Sequence, residues 1–101
     1  MRRSEKFERL LHLVSDVTDV KKSEILSSAR PLDVCVARGL FFMLCNEDGG
    51  MKPITIKRLC EDNGWSSISH STVLQNISRA KKMSQSDDEF KTFLDEVRRD
   101  I

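Results

Sequence analysis

The sequence predicts an all-α fold, a single compact bundle of about six helices over residues 1–101. Three observations carry that expectation. Apolar residues recur at the i, i+3, i+4, i+7 spacing of a helix face in several separate stretches. No stretch alternates strictly between apolar and polar, as a half-buried strand would. Ser, Asp, Pro and Asn-Gly or Gly-Gly words fall between the periodic stretches, where helices start and stop. A chain of 101 residues fits one domain with a modest core.

The first predicted helix runs from about Ser4 to Val17. Phe7, Leu10, Leu11, Val14 and Val17 form its apolar stripe, and Ser4 is a candidate N-cap. Asp19-Val20-Lys21-Lys22 then makes a short connection, and Ser23 can cap a brief helix through Ile25 and Leu26. A third helix is expected to begin at Pro31, because the first helical turn does not need the N–H that proline lacks. It continues through Val34, Cys35, Leu40, Phe41, Met43 and Leu44, apolar nearly all round, and is expected to be the buried centre. Asp48-Gly49-Gly50 ends it.

A fourth helix is expected from near Thr55 to Asp62, with Ile56 and Leu59 inward and Asn63-Gly64 as a left-handed stop. Trp65 in the following turn is expected to cover the core. The fifth helix spans about Ser69 to Met83, with Val73, Leu74, Ile77 and Ala80 inward. Ser86-Asp87-Asp88-Glu89 reads as a capping box opening a sixth, on which Phe90, Phe93, Leu94 and Val97 share a face. The expected core is Val34, Leu40, Phe41, Leu44, Leu59, Val73, Leu74, Ile77, Phe93 and Leu94.

Several function classes lack their signatures. The longest apolar run, Gly39 to Cys45, is far short of the roughly 18 residues of a membrane span. Met1-Arg2-Arg3 is followed by no apolar signal region. Cys35, Cys45 and Cys60 form no CxxC pair, so reduced, mostly buried thiols and a cytoplasmic location are expected. There is no phosphate-cradling G-x-x-x-x-G-K-[ST] and no G-x-G-x-x-G, so no nucleotide is expected to bind. His12 and His70 stand in different helices, and Cys60 with His70 is too small a set for a metal. His70 and Ser71, adjacent on one helix, point apart and make no nucleophile–base pair. No enzyme activity, cofactor or metal is expected.

The informative stretch is Ser66-Ser67-Ile68-Ser69-His70-Ser71-Thr72-Val73-Leu74-Gln75-Asn76-Ile77. A hydroxyl-rich start, Ser69 to Thr72, opens a helix that later carries Arg79, Lys81 and Lys82. The short helix before it ends at Asn63-Gly64. Helix, turn, then a helix with polar first-turn side chains and a basic tail is how a helix-turn-helix presents a recognition helix to a DNA major groove. The net charge is only +1, but its distribution is uneven. Residues 52–82 hold Lys52, Lys57, Arg58, Arg79, Lys81 and Lys82 against Glu61 and Asp62, a net +4. Residues 83–101 hold Lys91, Arg98 and Arg99 against Asp87, Asp88, Glu89, Asp95, Glu96 and Asp100, a net −3.

Ile25-Leu26-Ser27, Ala29-Arg30-Pro31 and His70-Ser71-Thr72-Val73-Leu74, in that order across most of the chain, resemble the C-terminal DNA-binding domain of the bacterial replication initiator DnaA family. In that family the words are L-L-S, A-R-P and R-D-H-[ST]-T-V-L. The resemblance implies a Trp-repressor-like helix-turn-helix inside a six-helix domain. This chain departs from the pattern. The family's basic loop between L-L-S and A-R-P, with its minor-groove arginine, is reduced to Ser28. Leu32 stands where a basic residue is usual, Ile68 and Ser69 replace the arginine and aspartate before the histidine, and Trp65 to Ser67 lengthen the turn. The family's ATPase part has no counterpart here.

His70, Ser71 and Thr72 are candidate base readers. Lys57, Arg58, Arg79, Lys81 and Lys82 are candidate phosphate contacts by charge and placement. Arg30, in the Ala-Arg-Pro word, and Ser69, at the helix start, complete the expected contact set. The expectation is a stand-alone module that binds double-stranded DNA with some sequence preference, as a regulator or replication accessory factor. With few readers left, its site should be short and should differ from the initiator's usual box. Useful affinity should then need a second copy or a protein partner. The alternative is a protein-interaction module that keeps the fold and has lost DNA binding.

Overall fold

The computed structural model describes residues 2–101. It is all-α: α1 (Arg3–Thr18), α2 (Lys22–Ile25), α3 (Leu32–Glu47), α4 (Pro53–Asp62), α5 (His70–Ser86) and α6 (Asp88–Asp100). α3 is the axis around which the others pack, touching α1, α2, α4, α5 and α6. The reason lies in its sequence. Leu40, Phe41, Phe42, Met43, Leu44 and Cys45 are buried one after another, so every face of the helix finds an apolar neighbour. Phe7 of α1 meets Phe41 edge-on, with ring centres 4.9 Å apart. Phe42 continues the aromatic line to Trp65, stacked at 6.2 Å. Arg98 of α6 ties the end of α3 by hydrogen bonds to both Asp48 carboxylate oxygens, at 3.0 and 2.9 Å.

The helix starts differ from the sequence expectation by local chemistry. Ser4 does not cap α1; the Arg2 carbonyl already accepts from Lys6 N–H, and Arg2 holds the cap position without a side-chain bond. Ser23 likewise lies inside α2, which Lys21 precedes as cap. Pro31 is the residue before α3, extended at φ −49, ψ 142, with its carbonyl accepting from Cys35 N–H. α4 begins at Pro53 and not near Thr55, because proline's fixed φ pre-forms the first turn. α5 continues to Ser86, whose hydroxyl bonds back to the Lys82 carbonyl. Asp87 therefore takes the cap of α6, accepting from Phe90 N–H at 2.9 Å.

The predicted core is largely present, with three displacements. Leu59 and Phe93 are half-buried. Leu74 is 45% exposed, against the expectation that it packs inside. The buried phase of α5 is Val73, Asn76, Ile77 and Ala80. A step from Val73 to Leu74 turns about 100° round the helix, so the two cannot both face inward. Asn76 takes the inner position because its amide donates to the Thr72 carbonyl at 2.8 Å, which satisfies it locally.

Candidate nucleic-acid interface

The turn between α4 and α5 is fixed at both ends. Gly64, at φ 103, lets the chain reverse at the end of α4. Trp65 N–H then bonds the Cys60 carbonyl at 2.9 Å and Gly64 N–H the Glu61 carbonyl at 3.2 Å, the paired bonds of a Schellman stop. The reversal turns Trp65 inward onto Phe42, as expected of a core cover. Ile68 is buried as well and anchors the far side of the turn. Ser66 and Ser67 are left outside.

Ser69 is the N-cap of α5. Its hydroxyl accepts from Thr72 N–H at 3.1 Å and lies 2.9 Å from the Thr72 hydroxyl. Thr72, one of the expected readers, is thus held by Ser69 of the expected contact set and is half-buried. His70 and Ser71 are exposed. The outward face then continues through Leu74, Gln75, Ser78, Arg79, Lys81 and Lys82, all exposed. Sequence reasoning missed Leu74, Gln75 and Ser78 as part of this face. Their signal is the helical phase: once Val73 and Ile77 are inward, these positions must point out. From His70 to Lys82 the helix rises about 18 Å.

The basic residues are placed unequally. Lys57 is engaged by Glu61 one helical turn away, at 2.9 Å, so its charge already has a partner. Among the described residues Arg30, Arg58, Arg79, Lys81 and Lys82 form no ion pair and are exposed. Arg30 and Arg79, far apart in sequence, line one cleft of about 260 Å³ with Ser67, Thr72 and Asn76. No carboxylate lines it.

The floor of that cleft holds Arg38, which sequence reasoning took for part of the apolar helix. It is 5% exposed. Its guanidinium donates to the Ile25, Glu24 and Ala29 carbonyls, each at 3.0 Å, and lies 5.5 Å from the Trp65 ring centre. One side chain therefore joins the α2–α3 loop, which carries Arg30, to the turn before α5. Burial lowers the Arg38 pKa; nearby Cys35 opposes that shift and Arg79 adds to it. Arg30, Arg38 and Arg79 thus bring three guanidinium groups to one cleft.

Burial raises the Cys45 thiol pKa well above its ordinary value and pushes that of Cys60 up to about 12. Both are neutral packing groups at physiological pH. Among the described residues no three His, Cys, Asp or Glu side chains are grouped to hold a metal ion, and no helix is long and apolar enough to cross a membrane. Comparison with protein-family models, curated proteins and solved structures finds no match to this chain.

Proposed function

We propose that the chain binds double-stranded DNA with modest sequence preference, laying α5 in the major groove. The observation that carries this reading is the outer face of α5. Polar His70 and Ser71 stand at its start, Gln75 and Leu74 one turn on, and unpaired Arg79, Lys81 and Lys82 beyond, beside an acid-free cleft shared with Arg30. A major groove about 12 Å wide admits such a helix. Its N-terminal residues would reach base edges while the basic end meets phosphates. Gln75 has the amide for bidentate pairing to adenine, and Leu74 offers an apolar contact to a thymine methyl. Arg30, Arg58, Arg79, Lys81 and Lys82 would neutralise phosphates; Lys57, held by Glu61, would contribute less. The resemblance to the DnaA C-terminal domain supports the same helix for the same task. With the family's basic loop absent, the proposed role is that of a regulator or replication accessory module with a site of its own.

A second reading has its own observation. Leu74 is a large apolar side chain exposed at the centre of the face, and Ser69 and Thr72 turn their hydroxyls on each other. Both features suit a protein-interaction surface that has given up base reading. Selection of bound duplexes from a random-sequence pool, followed by gel shift, separates the two. Enrichment of a short motif that weakens with Gln75→Ala supports DNA recognition. A pool with no enrichment and no shift at low salt leaves the interaction module.

A further inference from the structure

A second surface lies at the other end of α5, where the starts of α3 and α6 meet. Leu32, Val36, Met83 and Phe93 line a groove of about 460 Å³ between these helices. Leu32 is 80% exposed, the most exposed large apolar side chain among the described residues. Val36, Met83 and Phe93 are half-buried and form the floor. Lone exposed apolar residues are ordinary, but an apolar floor with an exposed leucine at its lip is a contiguous patch.

The rim tells what would cover it. Asp33, Asp87 and Glu89 line the groove, and no lysine or arginine does. Among the described residues none of these carboxylates is in an ion pair. Asp33 and Glu89 are exposed. Asp87 accepts from Phe90 N–H through one carboxylate oxygen as the cap of α6, which fixes its position at the rim. The two helix N-termini each contribute roughly half a positive charge. Three carboxylates outweigh them, so the groove keeps a negative field. An acidic partner or nucleic acid would be repelled there.

We propose that this groove docks a short segment of a partner protein, one that inserts a large apolar side chain between flanking lysine or arginine residues. The apolar residue would cover Val36, Met83 and Phe93 and pack against Leu32. The flanking cations would meet Asp33 and Glu89 at the rim. This gives the partner expected from the sequence a chemistry and a place. It does not depend on DNA binding, since no candidate DNA contact lines the groove.

The test begins with the whole chain immobilised and exposed to a phage-displayed library of random peptides of about 12 residues. Enriched peptides should pair Leu, Phe or Met with two or more neighbouring Lys or Arg. A fluorescent copy of the best one should bind in solution more weakly as salt rises. Leu32→Lys combined with Glu89→Lys alters two exposed positions and should leave the far-UV circular dichroism and melting temperature unchanged. It should weaken the peptide by about tenfold or more. Lys22→Glu, outside the groove, should leave it unchanged. The proposal is overturned if the enriched peptides are acidic or uncharged, if no peptide is enriched, or if the groove variant binds like the parent. It is also overturned if the chain self-associates through Leu32, which would assign the groove to a second copy.

Discussion

Replacing Arg38 by methionine should destabilise the fold by about 3 kcal/mol, a sum that can be worked from its partners. Three carbonyls lose a charged donor held at 3.0 Å. The Ile25 carbonyl is in a buried bond, and stranding it costs about 1–3 kcal/mol. The Glu24 and Ala29 carbonyls are in partly buried bonds that water can replace, at about 0.5 kcal/mol each. The contact over Trp65 adds about 0.5–1 kcal/mol. Methionine returns some packing, and the guanidinium no longer has to be desolvated, so the upper end is not reached. For a domain of this size about 3 kcal/mol lowers the melting temperature by roughly 12–24 °C. Urea unfolding followed by the single tryptophan, Trp65, is the direct assay, because the probe sits beside the perturbation. Arg38→Lys keeps the charge but lacks the planar fork, and should recover less than half of the loss. A loss below about 1 kcal/mol for Arg38→Met would refute the view that this residue joins the two loops.

Leu74→Ala should cost less than about 1 kcal/mol, since the side chain is 45% exposed, whereas a core leucine would cost about 2–5 kcal/mol. Its effect should appear in which DNA sequences are preferred, read by competition gel shift. Cys45 and Cys60 should resist thiol reagents in the native state at pH 8 while half-buried Cys35 reacts, counted with a chromogenic disulfide. Because burial raises the Cys45 and Cys60 pKa values in the folded chain, their contribution to stability is full below the unfolded thiol pKa, about 8.5. It is lost as pH climbs from there through about 12, the folded value at Cys60. Stability measured by urea unfolding at pH 8 and pH 10 should therefore fall, and a Cys60→Ala variant should fall less.

What was legible in the sequence was whatever repeats locally. The stripe on α6 reads straight through to its burial, because Phe90, Leu94 and Val97 have no competing apolar neighbours except Phe93 at the edge. The stop at Gly64 and the inward Trp65 follow from backbone chemistry within a few residues. α5 was harder. Val73 and Leu74 are equivalent by composition, and only the locally satisfied Asn76 reveals which is inside. Arg38 was illegible because its partners, the carbonyls of Glu24, Ile25 and Ala29, become acceptors only when the α2–α3 loop folds over α3. The cleft that joins Arg30 to Arg79 is a tertiary product of the same kind. The words Ala29-Arg30-Pro31 and His70-Ser71-Thr72-Val73-Leu74 supply residues on both sides of that cleft, Arg30 and Thr72, but do not announce their meeting.

The salt dependence of binding to a duplex tests the central claim most directly. Five unpaired cations, Arg30, Arg58, Arg79, Lys81 and Lys82, predict a slope of log affinity on log salt near about −4.5. That is roughly a 500-fold loss between about 50 and 200 mM salt. Fluorescence anisotropy with a selected and a random duplex gives the slope in each case. Arg30→Ala with Arg79→Ala should flatten it by about 1.8 for both duplexes, while Gln75→Ala should weaken the selected duplex and leave the slope alone. A chain that binds neither duplex at low salt, or a double variant whose slope is unchanged, contradicts the account and moves the function away from this face of α5.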